Sequence, residues 1–172
     1  VEERAAEAPP RGGAVVRASS APVLLSDVTA AAVPRIPTGI ADMDRVLGGG
    51  LVPGSVVLVG GEPGIGKSTL LLQISARLSE RLGSVLYVSA EESAQQIKMR
   101  ADRLRASAPG LFLLPETSLE TILEAARVGA FGAIVVDSIQ TIASAESPAA
   151  AGSVTQVRAC ASRLLALAKT TG

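Results

Sequence analysis

The stretch GGEPGIGKST, Gly60 to Thr69, constrains this chain more than any other. It follows the apolar run SVVLVG (55–60) and precedes a pattern in which Leu70, Ile74, Leu78 and Leu82 recur every fourth residue. A glycine-rich segment packs no core, and it is useful where backbone must come close to something else. The spacing G-x-x-x-x-G-K-[ST] is met by Gly61, Gly66, Lys67 and Ser68, with Gly64 inside the gap. A buried strand before it and a helix after it are the context that gives this motif meaning. Glycines let consecutive N–H groups turn inward around phosphate oxygens, while the helix N-terminus adds unsatisfied donors and the positive end of a dipole. The predicted phosphate-binding loop is Gly61, Glu62, Pro63, Gly64, Ile65, Gly66, Lys67, Ser68 and Thr69. Lys67 supplies a charge for the outer phosphates, and Ser68 offers a hydroxyl to Mg²⁺.

The surroundings of the loop give the fold class. SVVLVG (55–60), SVLYVS (84–89), LFLL (111–114) and AIVVD (133–137) are short, almost continuous apolar runs, as expected of strands buried on both faces of a parallel sheet. Helical patterns separate them at 67–82, 93–106 and 118–129, and a last one covers 153–169. On that last helix the predicted inward side holds Val154, Val157, Ala161, Leu164, Leu165 and Ala168. Ahead of the loop, TGIADMDRVLGGG (38–50) predicts a short helix with Thr38 as N-cap and three glycines as its stop. Alternating strands and helices mean an α/β fold with right-handed crossovers. Residues 1–22 mix Ala, Pro, Gly and alternating charge without periodicity and are expected to be a flexible linker ahead of a domain at 23–172.

Composition narrows the function classes. In 172 residues the 16 basic and 16 acidic side chains cancel, so any attraction to nucleic acid must come from a local patch. There is no histidine, hence no His-based acid–base pair, and the lone Cys160 excludes an internal disulfide or a cysteine-cluster zinc site within these residues. Cys160, at an apolar helical position, reads as a small core residue. No apolar run approaches the length of a membrane span and the acidic start is no signal peptide, so a cytoplasmic location and no membrane partner are expected.

Two further acidic positions bear on chemistry. Asp137 follows four apolar residues where a buried strand ends, and a carboxylate there can hold Mg²⁺ on the side where such sheets bind ligands. Glu91 and Glu92 follow the second strand at the same edge, and one of them can orient a water against a terminal phosphate. The same placement suits first-turn helix acids, and Glu91 sits nearer the strand end. IKMRADRLR (97–105) is either a solvated helix face or a surface for DNA or a neighbouring subunit.

The order of TGIADMDRVLGGGLVPGSVVLVGGEPGIGKSTLLLQ, LYVSAEES and IVVDSIQT resembles the RecA-type ATPase core, and more narrowly the bacterial RadA/Sms DNA-repair proteins, over roughly residues 24–172. The resemblance implies a P-loop core that binds ATP and Mg²⁺, with Lys67 and Ser68 in Walker A, Asp137 in Walker B and Glu91 as the water-activating glutamate. It also implies a ring-forming homo-oligomer, a hexamer in such motors, acting on single-stranded DNA and recombination intermediates by branch migration, with a recombinase as a possible partner. In that family a four-cysteine zinc finger precedes the core and a Lon-like domain follows it. Zinc is therefore expected only outside these residues. The core is expected to be incomplete at its C-terminus, one strand short of the full sheet, so that nucleotide binds weakly. KaiC-like signalling ATPases, and non-catalytic ATP-binding assembly modules, share the generic features.

Overall fold

The structure, a computed structural model, describes Pro22, residues 24–27 and residues 33–171. The chain divides into two units, Val1–Ala32 and Val33–Gly172. Of the first, Leu25–Asp27 form one 3₁₀ turn. The expected linker at 1–22 lies outside the described residues except for Pro22.

The second unit holds a three-stranded parallel sheet of β1 (Val85–Ser89), β2 (Leu111–Pro115) and β3 (Ala133–Asp137), in the order β2-β1-β3. Val85 pairs with Leu111 on one side and Ala133 on the other, and the register runs unbroken to Ser89, Pro115 and Asp137. Five helices surround it: α1 (Ala41–Val46), α2 (Lys67–Leu82), α3 (Ala94–Leu104), α4 (Leu119–Gly129) and α5 (Val154–Thr171). Side chains alternate across a strand, and the two faces are divided accordingly. Tyr87 packs with Leu72 and Ala76 of α2 and Ile97 and Ala101 of α3, while Val85 meets Ile74 and Leu78 of α2. Leu86 and Val88 point the other way, into a cluster with Leu119, Ile122 and Leu123 of α4 and Cys160 and Leu167 of α5. Cys160 is wholly buried, as expected of a small core residue.

Three expectations are corrected. The apolar run 55–60 forms no strand: no ladder pairs it among the described residues, and Val56, Val57 and Leu58 are 53%, 40% and 84% exposed. An apolar run becomes a strand only when a neighbour takes its backbone groups, and none does here. The first helix spans only Ala41–Val46, and its N-cap is Ile40. Thr38 instead sits against Asp44, whose carboxylate accepts from Thr38 N at 2.6 Å and Thr38 Oγ1 at 2.7 Å. Those bonds hold the Asp44 pKa below its ordinary value. Finally, α5 turns Gln156, Cys160 and Leu167 inward and leaves Val154 and Leu165 exposed. The reason is polar pairing. Gln156 Nε2 donates to Ser144 O at 3.2 Å, and Arg163 Nη1 donates to Glu120 Oε1 at 2.7 Å.

Among the described residues no helix is long and apolar enough to cross a membrane.

Candidate functional site

Helix α2 runs back along the sheet and delivers the chain at Gly83 to the start of β1, so its own start lies beyond the opposite, C-terminal edge of the strands. At about 1.5 Å per residue a 16-residue helix outruns five-residue strands and overhangs that edge. The loop at 61–66 therefore ends where β1 and β3 end. Gly66, the N-cap of α2, has φ 102 and ψ 14 and offers no side chain as a cap. The first-turn N–H groups are left for an acceptor from elsewhere. Gly64 shares the positive φ, and a Cβ at either position would meet nothing within 4 Å. The backbone conformation, rather than crowding, calls for glycine here. Residues 61–66 are exposed, and Lys67, Ser68 and Thr69 are half-buried in the first turn. Lys67 Nζ folds back over the loop, donating to Gly61 O at 2.9 Å and Glu62 O at 2.8 Å.

Parity places Asp137. Ala133 and Val135 pack on the α2 face, and Asp137 continues that series beside Ser89 at the end of the sheet. Its carboxylate is held by Tyr87, whose Oη donates to Asp137 Oδ2 at 2.6 Å. Burial, and then this bond, pushes the Tyr87 pKa far up. The two glutamates part company. Glu91 is exposed, and its Oε1 accepts from Ser138 Oγ at 2.8 Å, next to Asp137. Glu92 turns towards α3, where Arg100 Nη2 donates to its Oε1. A shallow cavity opens along the same edge, lined by Ser89, Glu91, Glu92, Pro115, Glu116 and Thr117.

The basic stretch is absorbed locally in part, with Arg103 and Arg105 left exposed. Lys98 pairs with Asp102, Arg100 with Glu92, and Ile97 and Ala101 are core. Sequence reasoning missed Tyr87, Ser138 and Arg100. The available signal for Tyr87 was its parity, two residues before the strand end and on the Asp137 face.

The residues fit a magnesium-bound polyphosphate. Uncapped helix donors and an ammonium suit anionic oxygens. Among the described residues no three Asp, Glu, Cys or His side chains gather into a metal cluster. The oxygen donors of Ser68 and Asp137 are of the kind that suits Mg²⁺, which is commonly held by one or two protein oxygens together with phosphates and water.

The chain matches the family model described as KaiC ATPase over residues 36–107. It is 47% identical over 176 residues to the DNA repair protein RadA of Bacillus subtilis (strain 168), covering 100% of this chain and 38% of that protein. It is 52% identical over 139 residues to RadA of Halalkalibacterium halodurans, covering 81% of this chain and 30% of that protein. With RadA of Campylobacter jejuni the identity is 50% over 151 residues, covering 88% and 34%. The chain thus spans between a third and two fifths of the first of these relatives. Among solved structures it is similar to the flagellar accessory protein FlaH of Methanocaldococcus jannaschii, with a TM-score of 0.57 and 24% identity, covering 74% of this chain and 63% of that one. That likeness speaks to the fold alone.

Proposed function

The chain is a RadA/Sms-type segment with a RecA-like ATPase fold, and from that premise we propose that it binds ATP with Mg²⁺ and hydrolyses it within a DNA-repair protein. One observation carries the reading. The uncapped start of α2, with Lys67 Nζ over its loop, and Asp137 at the end of β3 belong to the same face and edge of one sheet. The N–H groups of 64–69 would hold the β- and γ-phosphate oxygens, and Lys67 would leave its two carbonyl acceptors for the outer phosphate. Ser68 Oγ and the Asp137 carboxylate would hold the metal side. Magnesium, when bound, supplies neutralising charge where the phosphates meet. Glu91 would orient the attacking water and accept its proton, since Glu92 is already engaged by Arg100.

Single-stranded DNA and recombination intermediates are the proposed substrates of the whole protein, acting as a homo-oligomeric ring, with branch migration as the work done. The match to the KaiC-type model favours one second reading, a RecA-type signalling ATPase acting on protein partners. Turnover in the complete gene product tests both. Lys67→Ala is expected to lower ATP binding and turnover by about a hundredfold, as the loss of a charged phosphate contact does. Single-stranded DNA is expected to raise the wild-type rate, and a rate indifferent to DNA transfers the reading to the signalling class. Glu91→Gln should keep binding and lose phosphate release. Unchanged release would instead favour a non-catalytic assembly module.

A further inference from the structure

We propose that Tyr87 is a positioning residue for the metal-side carboxylate: its phenol fixes the Asp137 side chain so that one oxygen is engaged and the other stays free for the metal site. This rests on the role given to Asp137 above. Asp137 ends β3, half-buried, with the chain leaving the sheet directly after it. Left alone, such a short side chain has several rotamers open to it. Tyr87 sits on the neighbouring strand opposite Val135, two residues back on the same face, so its ring spans the diagonal to residue 137. The ring is 1% exposed and packed between α2 and α3 by Leu72, Ala76, Ile97 and Ala101, which fixes where its oxygen lies. The Oη···Oδ2 separation of 2.6 Å is that of a charge-assisted bond.

Packing alone does not account for the hydroxyl. A phenylalanine would fill the same apolar slot, and a buried hydroxyl costs stability unless a partner satisfies it. What the oxygen adds is a fixed donor aimed at one carboxylate oxygen. Partners of this kind orient metal-holding side chains, and their removal weakens metal affinity by about tenfold or more.

The chain has one tyrosine and no tryptophan, so its ultraviolet emission reports on Tyr87 alone. A phenol bonded to a carboxylate loses emission by excited-state proton transfer to that acceptor. In this 172-residue chain Asp137→Asn should therefore brighten the emission, because an amide is a far weaker proton acceptor than a carboxylate. Emission unchanged by that substitution would remove the contact, and the proposal with it. In the complete gene product, Tyr87→Phe should raise the Mg²⁺ concentration for half-maximal ATP turnover by about tenfold. Nucleotide binding without metal should stay as in the wild type. If Asp137→Asn raises the metal requirement and Tyr87→Phe does not, the positioning role is wrong and the reading of Asp137 survives. If neither variant alters the requirement while Lys67→Ala abolishes binding, the role of Asp137 fails and takes this inference with it. Should Tyr87→Phe fold poorly, fluorotyrosine at position 87 keeps the ring and makes the phenol more acidic, which alters its strength as a donor to Asp137. A metal requirement that does not move with fluorination then overturns the proposal.

Discussion

Among the described residues Glu120 gathers more polar contacts from distant segments than any carboxylate outside the loop edge. Ser144 Oγ donates to its Oε1 at 2.7 Å, Arg163 Nη1 donates to the same oxygen at 2.7 Å, and Arg163 also pairs with Glu146 at 3.2 Å. The Ser144 hydroxyl first, with the Ala145 amide and Arg163 adding to it, holds the Glu120 pKa down to about 2. A carboxylate lowered on folding stabilises the native state above its unfolded value, and that contribution is lost as pH falls through the folded one. Stability should accordingly decline between pH 4.5 and about 2 with a part that belongs to Glu120. Denaturant titrations across that range should show Glu120→Gln with a flatter acid slope and lower stability at neutral pH. The effect is modest because 35% of the side chain is exposed. A backbone counterpart is Gly50, at φ +135, where an added Cβ would collide with the Ile36 carbonyl. Gly50→Ala should therefore break the Ile36–Leu51 bridge and cost about 2 kcal/mol by strain, read from the thermal midpoint.

At the scale of elements, α3 begins with a reciprocal cap. The Ser93 side chain accepts from Gln96 N, and Gln96 Oε1 accepts from Ser93 N at 2.9 Å. Ser93→Ala removes the first of these bonds and should cost about 1 kcal/mol, measurable by chemical denaturation. The spans of α2 and β3 and the glycine-rich loop ahead of α2 were legible because each is written in contiguous residues, whereas this cap was not read. Leu70 to Leu82 repeat with the helix, and Gly61 to Ser68 carry their spacing in one stretch. Other features need a partner that sequence distance hides. Hydropathy assigned Val154 and Leu165 of α5 inward, yet Gln156 and Arg163 take the inner side because Ser144 and Glu120 meet them there. Residues 55–60 read as a strand from their own side chains, although a ladder belongs to two segments at once. The same limit hid Tyr87 and Arg100. Each acts through a residue on another element, Asp137 on β3 for the first and Glu92 beyond β1 for the second.

Across the whole molecule the sheet is unevenly supported. β1 is central, buried at every residue from Val85 to Ser89, and bonded on both sides. Among the described residues β3 is bonded to β1 alone, and each of its residues is only half-buried. The segment leading into the phosphate loop lies outside any ladder, with Val56, Val57 and Leu58 in solvent. Amide exchange measures this gradient directly, because opening energies run from near zero in unpaired segments to the global value in core strands. In the 172-residue chain the amides of 56–60 should exchange fastest among the apolar segments, those of 133–137 more slowly, and those of 85–89 last. Dilution separates two explanations of any departure from that order. Protection at 56–60 that vanishes as the protein is diluted would mean that a second copy pairs with the exposed backbone, as unpaired apolar edges tend to do. Protection that persists at every concentration would mean that these residues find a partner within one chain, and the open arrangement of this segment would be wrong.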